Sequence, residues 1–345
     1  MTRLWLVRLG KFGEQEARAL DSGDLVTGWE VDDLTGATSR EAIGRIVEGA
    51  YPERKSGTLK NWAVQLNQLR NDVQKGDLTV TPLKTSREIA VGRVTGPYKH
   101  VDGRHPTLQV EWLRRDVPRD ALRQDLLYSL GASQTICEIS RNNAVARVEE
   151  VVAKGRDPGD GTSAQAVTAP GNEADGLAEP VIDLAALARD QIERKVASTF
   201  TGHGFTRLVA AILEARGYET HVSSPGPDAG YDIVAGRGAL GFDAPRLVVQ
   251  VKSGTIEVDH PTLQSLNGCI HDAGADHGLI VSWAGFKSTV RRETNKQYFR
   301  VRFWGRDEVI DAMLGVYDDL PEDIRAALPM RRTWTLVPED EGEGA

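Results

Sequence analysis

The sequence predicts two domains of different class. A mainly β domain spans residues 1–153, and an α/β domain with a mixed sheet flanked by helices spans residues 183–336. Three observations carry this reading. Short strand-like runs separated by Gly, Pro and Asp clusters fill the first half. Strands alternating with helix-length amphipathic segments fill the second. Between them, residues 154–182 hold almost no large apolar side chain and cannot bury enough surface to order themselves, which reads as a flexible linker. Residues 337–345, ending in PEDEGEGA, read as an acidic tail.

In the first domain, strands are expected at Leu4–Arg8, Asp24–Trp29, Asp77–Thr81, Glu88–Val94 and Leu108–Trp112, enough for a small barrel. Helical spacing covers 39–50 and 58–74, where Leu59, Trp62, Ala63, Leu66 and Leu69 fall on one stripe, and a further helix covers 120–130. In the second domain, helices are expected at 183–198 and 203–216, the latter with Phe205, Leu208, Val209, Ile212 and Leu213 on one side. Strands at 218–222, 231–235 and 246–252 follow. Then come a helix at 260–273, a strand at 277–282, a helix at 286–297, a strand at 299–303 and short helices to about 328.

The net charge of −8 argues against a purely electrostatic nucleic-acid binder, yet it is unevenly spread. Lys and Arg number 22 against 21 Asp and Glu in residues 1–153, and 18 against 20 in 183–336, so linker and tail hold −7 of the total. Two cysteines, Cys137 and Cys269, are too few for a disulfide scaffold and lack metal-ligand spacing, which leaves them as buried, inert thiols. With no signal peptide and no long apolar run, the chain is expected to be soluble and cytoplasmic.

Chemistry concentrates in residues 225–252, PGPDAGYDIVAGRGALGFDAPRLVVQVK. A Gly/Pro turn presents Asp228 and Asp232, and a later strand ends in Gln250-Val251-Lys252. Side chains alternate along a strand, so Gln250 and Lys252 point one way while Val251 points to the core. A carboxylate, an amide oxygen, the Val251 carbonyl and an ammonium can then converge at the ends of adjacent strands. These are parts for one hard divalent cation, Mg²⁺ or Mn²⁺, beside an activated water. From spacing alone, a turn-forming Asp and a solvated Lys explain the same residues.

The wider string is more specific. GHGFTRLVAAILEARGYET, SSPGPDAGYDIVA, RLVVQVKSG, HGLIVSWAGF and FWGRDEVI resemble, in order and spacing, the catalytic domain of Mrr-like restriction endonucleases over residues 200–312. That family is a branch of the PD-(D/E)xK superfamily whose second motif reads QxK. The resemblance implies a restriction-endonuclease-like fold with a four-stranded mixed sheet and Mg²⁺-dependent cleavage of double-stranded DNA. It places Asp232 on the metal-binding Asp, Gln250 on the second ligand, Lys252 on the catalytic Lys and Asp228 on the upstream turn Asp. Gln264, in the next helix, is a candidate to face the site or DNA. One departure stands out: where the family has Glu after the Phe of the opening helix, this chain has Thr206. Glu214, eight residues on, is about 12 Å further along the helix axis and cannot substitute. His203 begins that helix.

The first domain has no catalytic triad, phosphate-binding Gly loop or metal cluster in its sequence, but it is rich in aromatics: Trp5, Trp29, Trp62, Trp112, Tyr51, Tyr98 and Phe12. VQKGDLTVTPLKTSREIAVGRVTGPYKH, HPTLQVEWLRRDVPR and LYSLGASQTICEI resemble N-terminal modules fused to Mrr-like nucleases and are distantly similar to EVE and PUA-like domains. That resemblance implies a nucleic-acid reader that stacks a flipped modified base on aromatics. Trp29 is the first candidate wall, then Tyr98 and Trp5. Lys99, Arg104, Arg114, Arg115 and Arg119 are candidate phosphate contacts. Core filling explains most of these aromatics equally well, and a solvated face explains single basic runs.

Together these readings give a modification-dependent, type IV-like restriction endonuclease in phage defence. A tether with a span of about 25–30 Å leaves the cutter free near the reader. Two chains, a homodimer or higher oligomer on DNA, are needed to cut both strands. Two alternatives stay open: a defence nuclease triggered by a nucleotide ligand at the first domain, and a DNA-binding protein with a decayed site. No ATPase motif is present, so cleavage needs no ATP within this chain.

Overall fold

A computed structural model describes residues 2–10, 12–101, 105–132, 134–159, 183–224 and 230–334. The chain divides into two units, Met1–Asp190 and Gln191–Thr333.

The first unit begins with β1 (Leu4–Val7), α1 (Glu16–Ser22), β2 (Asp24–Val26), α2 (Arg40–Ala50) and α3 (Ser56–Asn67). It continues through β3 (Leu78–Pro82), β4 (Ile89–Val94), β5 (Lys99–Val101), β6 (His105–Val117), α4 (Gln124–Ser129), β7 (Ile136–Glu138) and α5 (Ala144–Lys154). The seven strands form one sheet in the order β2-β6-β4-β3-β1-β7, with β5 also on β6. Among the described residues β2 and β7 do not pair, so the expected barrel is an open sheet. Strand alternation explains how both faces are covered. Trp5 and Val7 join the core under α2 and α3, whereas Leu4 and Leu6 join the core under α4 and α5. Ser39 caps α2 by accepting from the Ala42 N–H.

Beneath α5 lies an ionic clasp. Arg147, almost fully buried, donates to Asp125 and to Asp157, and Asp157 also accepts from the Arg123 and Gly159 N–H groups. The Arg147 guanidinium holds the Asp125 carboxyl below the usual range. Burial works to raise Asp157, but its hydrogen bonds from Arg147, Arg123 and Gly159 outweigh that and lower it too. Asp157 therefore fixes the chain just before residues 160–182. Just after them, the Asp183 N–H donates to the Gly131 carbonyl at 2.9 Å. Arg119 then grips Asp190 through two bonds of 2.6 Å. Both flanks are thus held by the first unit. The proposed linker itself, apart from its first residues, and the acidic tail lie outside the described residues.

The division falls within α6 (Leu184–Thr199). The second unit continues with α7 (His203–Ala215), β8 (Glu219–Val222), β9 (Ile233–Arg237), β10 (Asp243–Lys252), α8 (His260–Asp272), β11 (His277–Ser282), α9 (Ser288–Arg291), β12 (Val301–Trp304), α10 (Arg306–Gly315) and α11 (Glu322–Ala327). Its sheet has five strands, not four, in the order β12-β11-β10-β9-β8. β10, β11 and β12 are parallel, while β9 and β8 run antiparallel. The helix expected at 286–297 shrinks to α9 followed by turns, because Val290 is the buried apolar side chain of a segment otherwise polar until Tyr298. No helix among the described residues is long and apolar enough to cross a membrane.

Alternation along β10 divides the second core. Val249 and Val251 pack with α7 and α10 residues, and Val248 packs with Leu263, Leu266 and Ile270 of α8. Gln250 and Lys252 consequently belong to the α8 face.

Candidate active site

The parallel strands end together at Lys252, Ser282 and Trp304, and the crevice beyond such carboxyl ends is where open α/β sheets place ligands. β9 meets this end from the other direction, since Ile233 pairs with Val249 and Asp232 precedes it. The Asp232 N–H donates to the Val249 carbonyl at 2.8 Å. The Asp232 carboxylate accepts from the Val251 N–H at 2.7 Å. That second bond seats the carboxylate beside β10, at the residue lying between Gln250 and Lys252. Asp232 and Val251 are thereby in direct contact, with Gln250 and Lys252 as the neighbours of Val251 along β10.

Gln250 is only 8 % exposed, and its Oε1 has no hydrogen-bond partner among the described residues. A buried orphan acceptor costs about 1–3 kcal/mol unless something pairs with it. An oxygen-loving cation held by Asp232 would be such a partner, so the residues fit a divalent metal. Lys252 is exposed. Among the described residues no three His, Cys, Asp or Glu side chains cluster as a metal set.

Asp228 lies outside the described residues. Gly230 takes φ +88°, and a Cβ there would sit 3.0 Å from Cys269 Sγ and 3.5 Å from Ser265 Oγ. Only glycine lets the turn press so closely on α8. Gln264 is exposed on α8 next to Ser265, at the edge of this contact. Thr206 is buried in α7, directly after Phe205, whose ring packs edge-on to Trp283. Glu214 is occupied elsewhere, accepting from the Thr220 hydroxyl. His203 is exposed at the first turn of α7. Ser253 was not anticipated: its hydroxyl accepts from the Gly202 N–H at 3.0 Å and ties the start of α7 to the residue after Lys252. The QVKS string carries that signal, though nothing in it says what the serine meets.

In the first unit the candidate base walls are interior. Trp5 is 1 % exposed, Trp29 6 % and Tyr98 9 %, all in one core cluster. Trp5 donates its indole N–H to Asp77 at 2.9 Å. Burial pushes the Tyr98 hydroxyl up to about 12, and that hydroxyl accepts from the Leu34 N–H and donates to Asp33. As placed, the three present no open ring face, because sheet packing consumes it. Cys137 and Cys269 are both buried, and burial pushes the Cys137 thiol up to about 12. Of the basic candidates, Lys99 and Arg115 are exposed, with Lys99 donating to Gln109. Arg114 is half-buried against Gly155, Arg104 lies outside the described residues, and Arg119 is committed to Asp190.

An open concavity of about 890 Å³ does exist in this unit. It is lined by Glu30, Val31, Asp32, Asp33, Arg45, Ile46 and Tyr51, among others. Tyr51 accepts from the Glu30 N–H at 2.7 Å and packs edge-on to Trp62. Asp33 is held below the usual carboxylate range by the Thr35 hydroxyl and N–H.

The second unit is thus an α/β domain with a five-stranded mixed sheet, and Asp232 meets the end of its central strand β10 between Gln250 and Lys252. Comparison with known families adds a match: residues 197–313 match the family model Mrr_cat, described as a restriction endonuclease. Residues 5–139 match a domain of unknown function, DUF8426, and this match does not confirm the EVE and PUA resemblance. None of the curated proteins compared matches the chain. Among solved structures, the DNA modification-dependent restriction endonuclease AspBHI is similar at 11 % identity and TM-score 0.32, covering 89 % of this chain and 79 % of its own. MspJI restriction endonuclease in complex with a 27-mer oligonucleotide is similar at 13 % identity and TM-score 0.27, covering 90 % and 75 %. AF1548, a protein of unknown function, is similar at 15 % identity and TM-score 0.25, covering 35 % and 75 %.

Proposed function

We propose that this chain is a metal-dependent endonuclease that hydrolyses DNA phosphodiester bonds in response to a modified base, a type IV-like restriction enzyme acting in phage defence. The observation that carries the reading is the buried Gln250 oxygen, without a partner among the described residues and next in the chain to Val251, whose N–H donates to Asp232, inside the stretch that matches the restriction endonuclease model. Asp232, the Gln250 amide oxygen and the Val251 carbonyl would hold Mg²⁺ or Mn²⁺. Such an ion supplies charge neutralisation on the phosphate and a lowered pKa for water. The Val251 N–H holds the Asp232 carboxylate in one orientation, so the site is preorganised. Lys252 orients the attacking water and balances the charge that develops on the phosphate. Gln264 supports this set from α8, and the sequence motif assigns Asp228 to it. With a single firm carboxylate, affinity for the ion is weak until the scissile phosphate completes its shell.

The first unit reads the base. Its concavity lies within the size range of small-molecule pockets, and Tyr51, Asp32 and Asp33 offer a ring and acceptors for a nucleobase amine. Tyr98 acts behind it, its hydroxyl holding Asp33 and Leu34, and Trp29 packs in the same core cluster. Lys99, Arg114 and Arg115 contact phosphates. Cutting both strands calls for a second copy on DNA.

The test is incubation with Mg²⁺ or Mn²⁺ and matched duplexes carrying cytosine, 5-methylcytosine, hydroxymethylcytosine, glucosylated cytosine or N6-methyladenine. Cleavage of a modified duplex without added nucleotide, lost in Asp232→Ala and Lys252→Ala, is expected. Equal cutting of all duplexes defeats the reader, and cleavage that survives both substitutions defeats the active site. The buried Thr206 favours a second reading, a decayed DNA-binding protein, which metal-dependent nicking rejects.

A further inference from the structure

We infer that the loop Ser253–Glu257 is a groove-probing element whose Ile256 inserts against the base stack beside the scissile phosphate; this rests on the nuclease reading above. Ile256 is 79 % exposed, four residues after Lys252. The unit's other large exposed apolar side chains described, Leu240, Phe242, Tyr298 and Phe299, lie elsewhere. Leu240 and Phe242 sit in the β9–β10 hairpin, and Tyr298 and Phe299 precede β12, so all four occupy the opposite end of the sheet from Lys252.

The loop is tied down at both ends. The Trp283 N–H donates to the Lys252 carbonyl at 2.9 Å, and Ser253 accepts from Gly202. On the far side, Val258 is buried, donates to the Gly285 carbonyl and accepts from the Lys287 N–H, each at 3.0 Å. Asp259 then caps α8 through the Thr262 N–H and hydroxyl. A five-residue span so fixed presents its apolar tip in a restricted place, where a longer loose loop would fold the side chain down.

The surroundings select the partner. The Val258–Phe286 bridge sets the loop beside residues 286–292, which carry Lys287, Arg291 and Arg292, all exposed. Glu257 is paired with Arg291 at 3.6 Å, and Asp259 is spent on its cap. An apolar tip on a loop that starts after Lys252 and is bridged to a segment carrying Lys287 and Arg292 suits a polyanion with an apolar interior, which is a nucleic-acid duplex. Aliphatic side chains that enter a groove in this way wedge between base steps and distort the backbone locally.

The test compares the full-length wild type with Ile256→Ala and Ile256→Leu, all checked for unchanged thermal unfolding. Each is bound in EDTA to a cognate duplex carrying 2-aminopurine near the cut, and each is assayed in single-turnover cleavage with Mg²⁺. Expected is a rise in 2-aminopurine fluorescence for wild type and Leu, lost in Ala. Cleavage by Ala should fall about tenfold or more, the scale of effect that misplacing a reacting group produces. Duplex affinity should change less than the cleavage rate. An Ala variant that unstacks and cuts like wild type overturns the inference. A wild type that binds but does not cut overturns the nuclease reading alone, since the fluorescence still decides on Ile256. A wild type that does not bind any duplex overturns both.

Discussion

Gln250→Met isolates the role of the orphaned amide. The side chain is 8 % exposed, and its Oε1 lies buried with no partner among the described residues, an acceptor left uncompensated there. Such an atom costs about 1–3 kcal/mol, whereas an apolar group of similar shape in its place is neutral or stabilising. Methionine matches glutamine in length and bends to fill irregular space. In EDTA the variant should therefore unfold in urea with a stability about 1–2 kcal/mol above wild type. Adding Mn²⁺ should reverse the order. A ligand at one hundred times its dissociation constant stabilises by about 2.7 kcal/mol, and that increment should appear in wild type and largely vanish in the variant. The assay is a pair of urea titrations, with and without metal, read by tryptophan fluorescence. A variant less stable than wild type in EDTA, or one that gains as much from Mn²⁺, would refute the reasoning.

Three further outcomes follow from the same geometry. Arg147→Met leaves Asp125 and Asp157 facing each other without their cation and should cost about 3–5 kcal/mol in urea titration, with Asp125→Asn/Asp157→Asn added to the variant restoring part of the loss. Both carboxyls are depressed in the fold, so their contribution is complete above the unfolded Asp value of about 3.9 and disappears as pH falls through the lower folded values. The wild-type urea midpoint should drop more steeply below about pH 4 than that of Arg147→Met. Trp29→Ala should lower stability by about 3–5 kcal/mol as a core truncation, whereas Tyr51→Ala at the concavity should spare stability more and reduce the preference for modified over plain duplex in a binding titration.

The active-site end was legible because strand alternation is local. Gln250, Val251 and Lys252 needed only a two-residue period to be assigned their faces, and Asp232 needed only a turn. What made Gln250 informative, its burial without a partner, depends on α8 and the rest of the fold closing over it, and no local pattern encodes that. The aromatics show the same limit in reverse. Trp5, Trp29 and Tyr98 have the composition of a base cage, but a ring filling a core and a ring lining a pocket read alike in sequence. α1 and α5 escaped notice: α1 is two turns long between glycine-rich segments, and α5 abuts the residues assigned to the linker. β10 starts earlier than its hydrophobic run because Asp243 pairs with Arg237 across the hairpin, a contact set by the turn and not by apolar content.

The chain runs into residues 160–182 from an anchor at Asp157 and out of them to an anchor at Asp190, both on the first unit. Doubling the length of a closed loop costs only about 0.6 kcal/mol of closure entropy. An epitope or fluorescent domain spliced between residues 159 and 183 would thus burden neither anchor, making this stretch a natural port for labelling the protein without touching its chemistry.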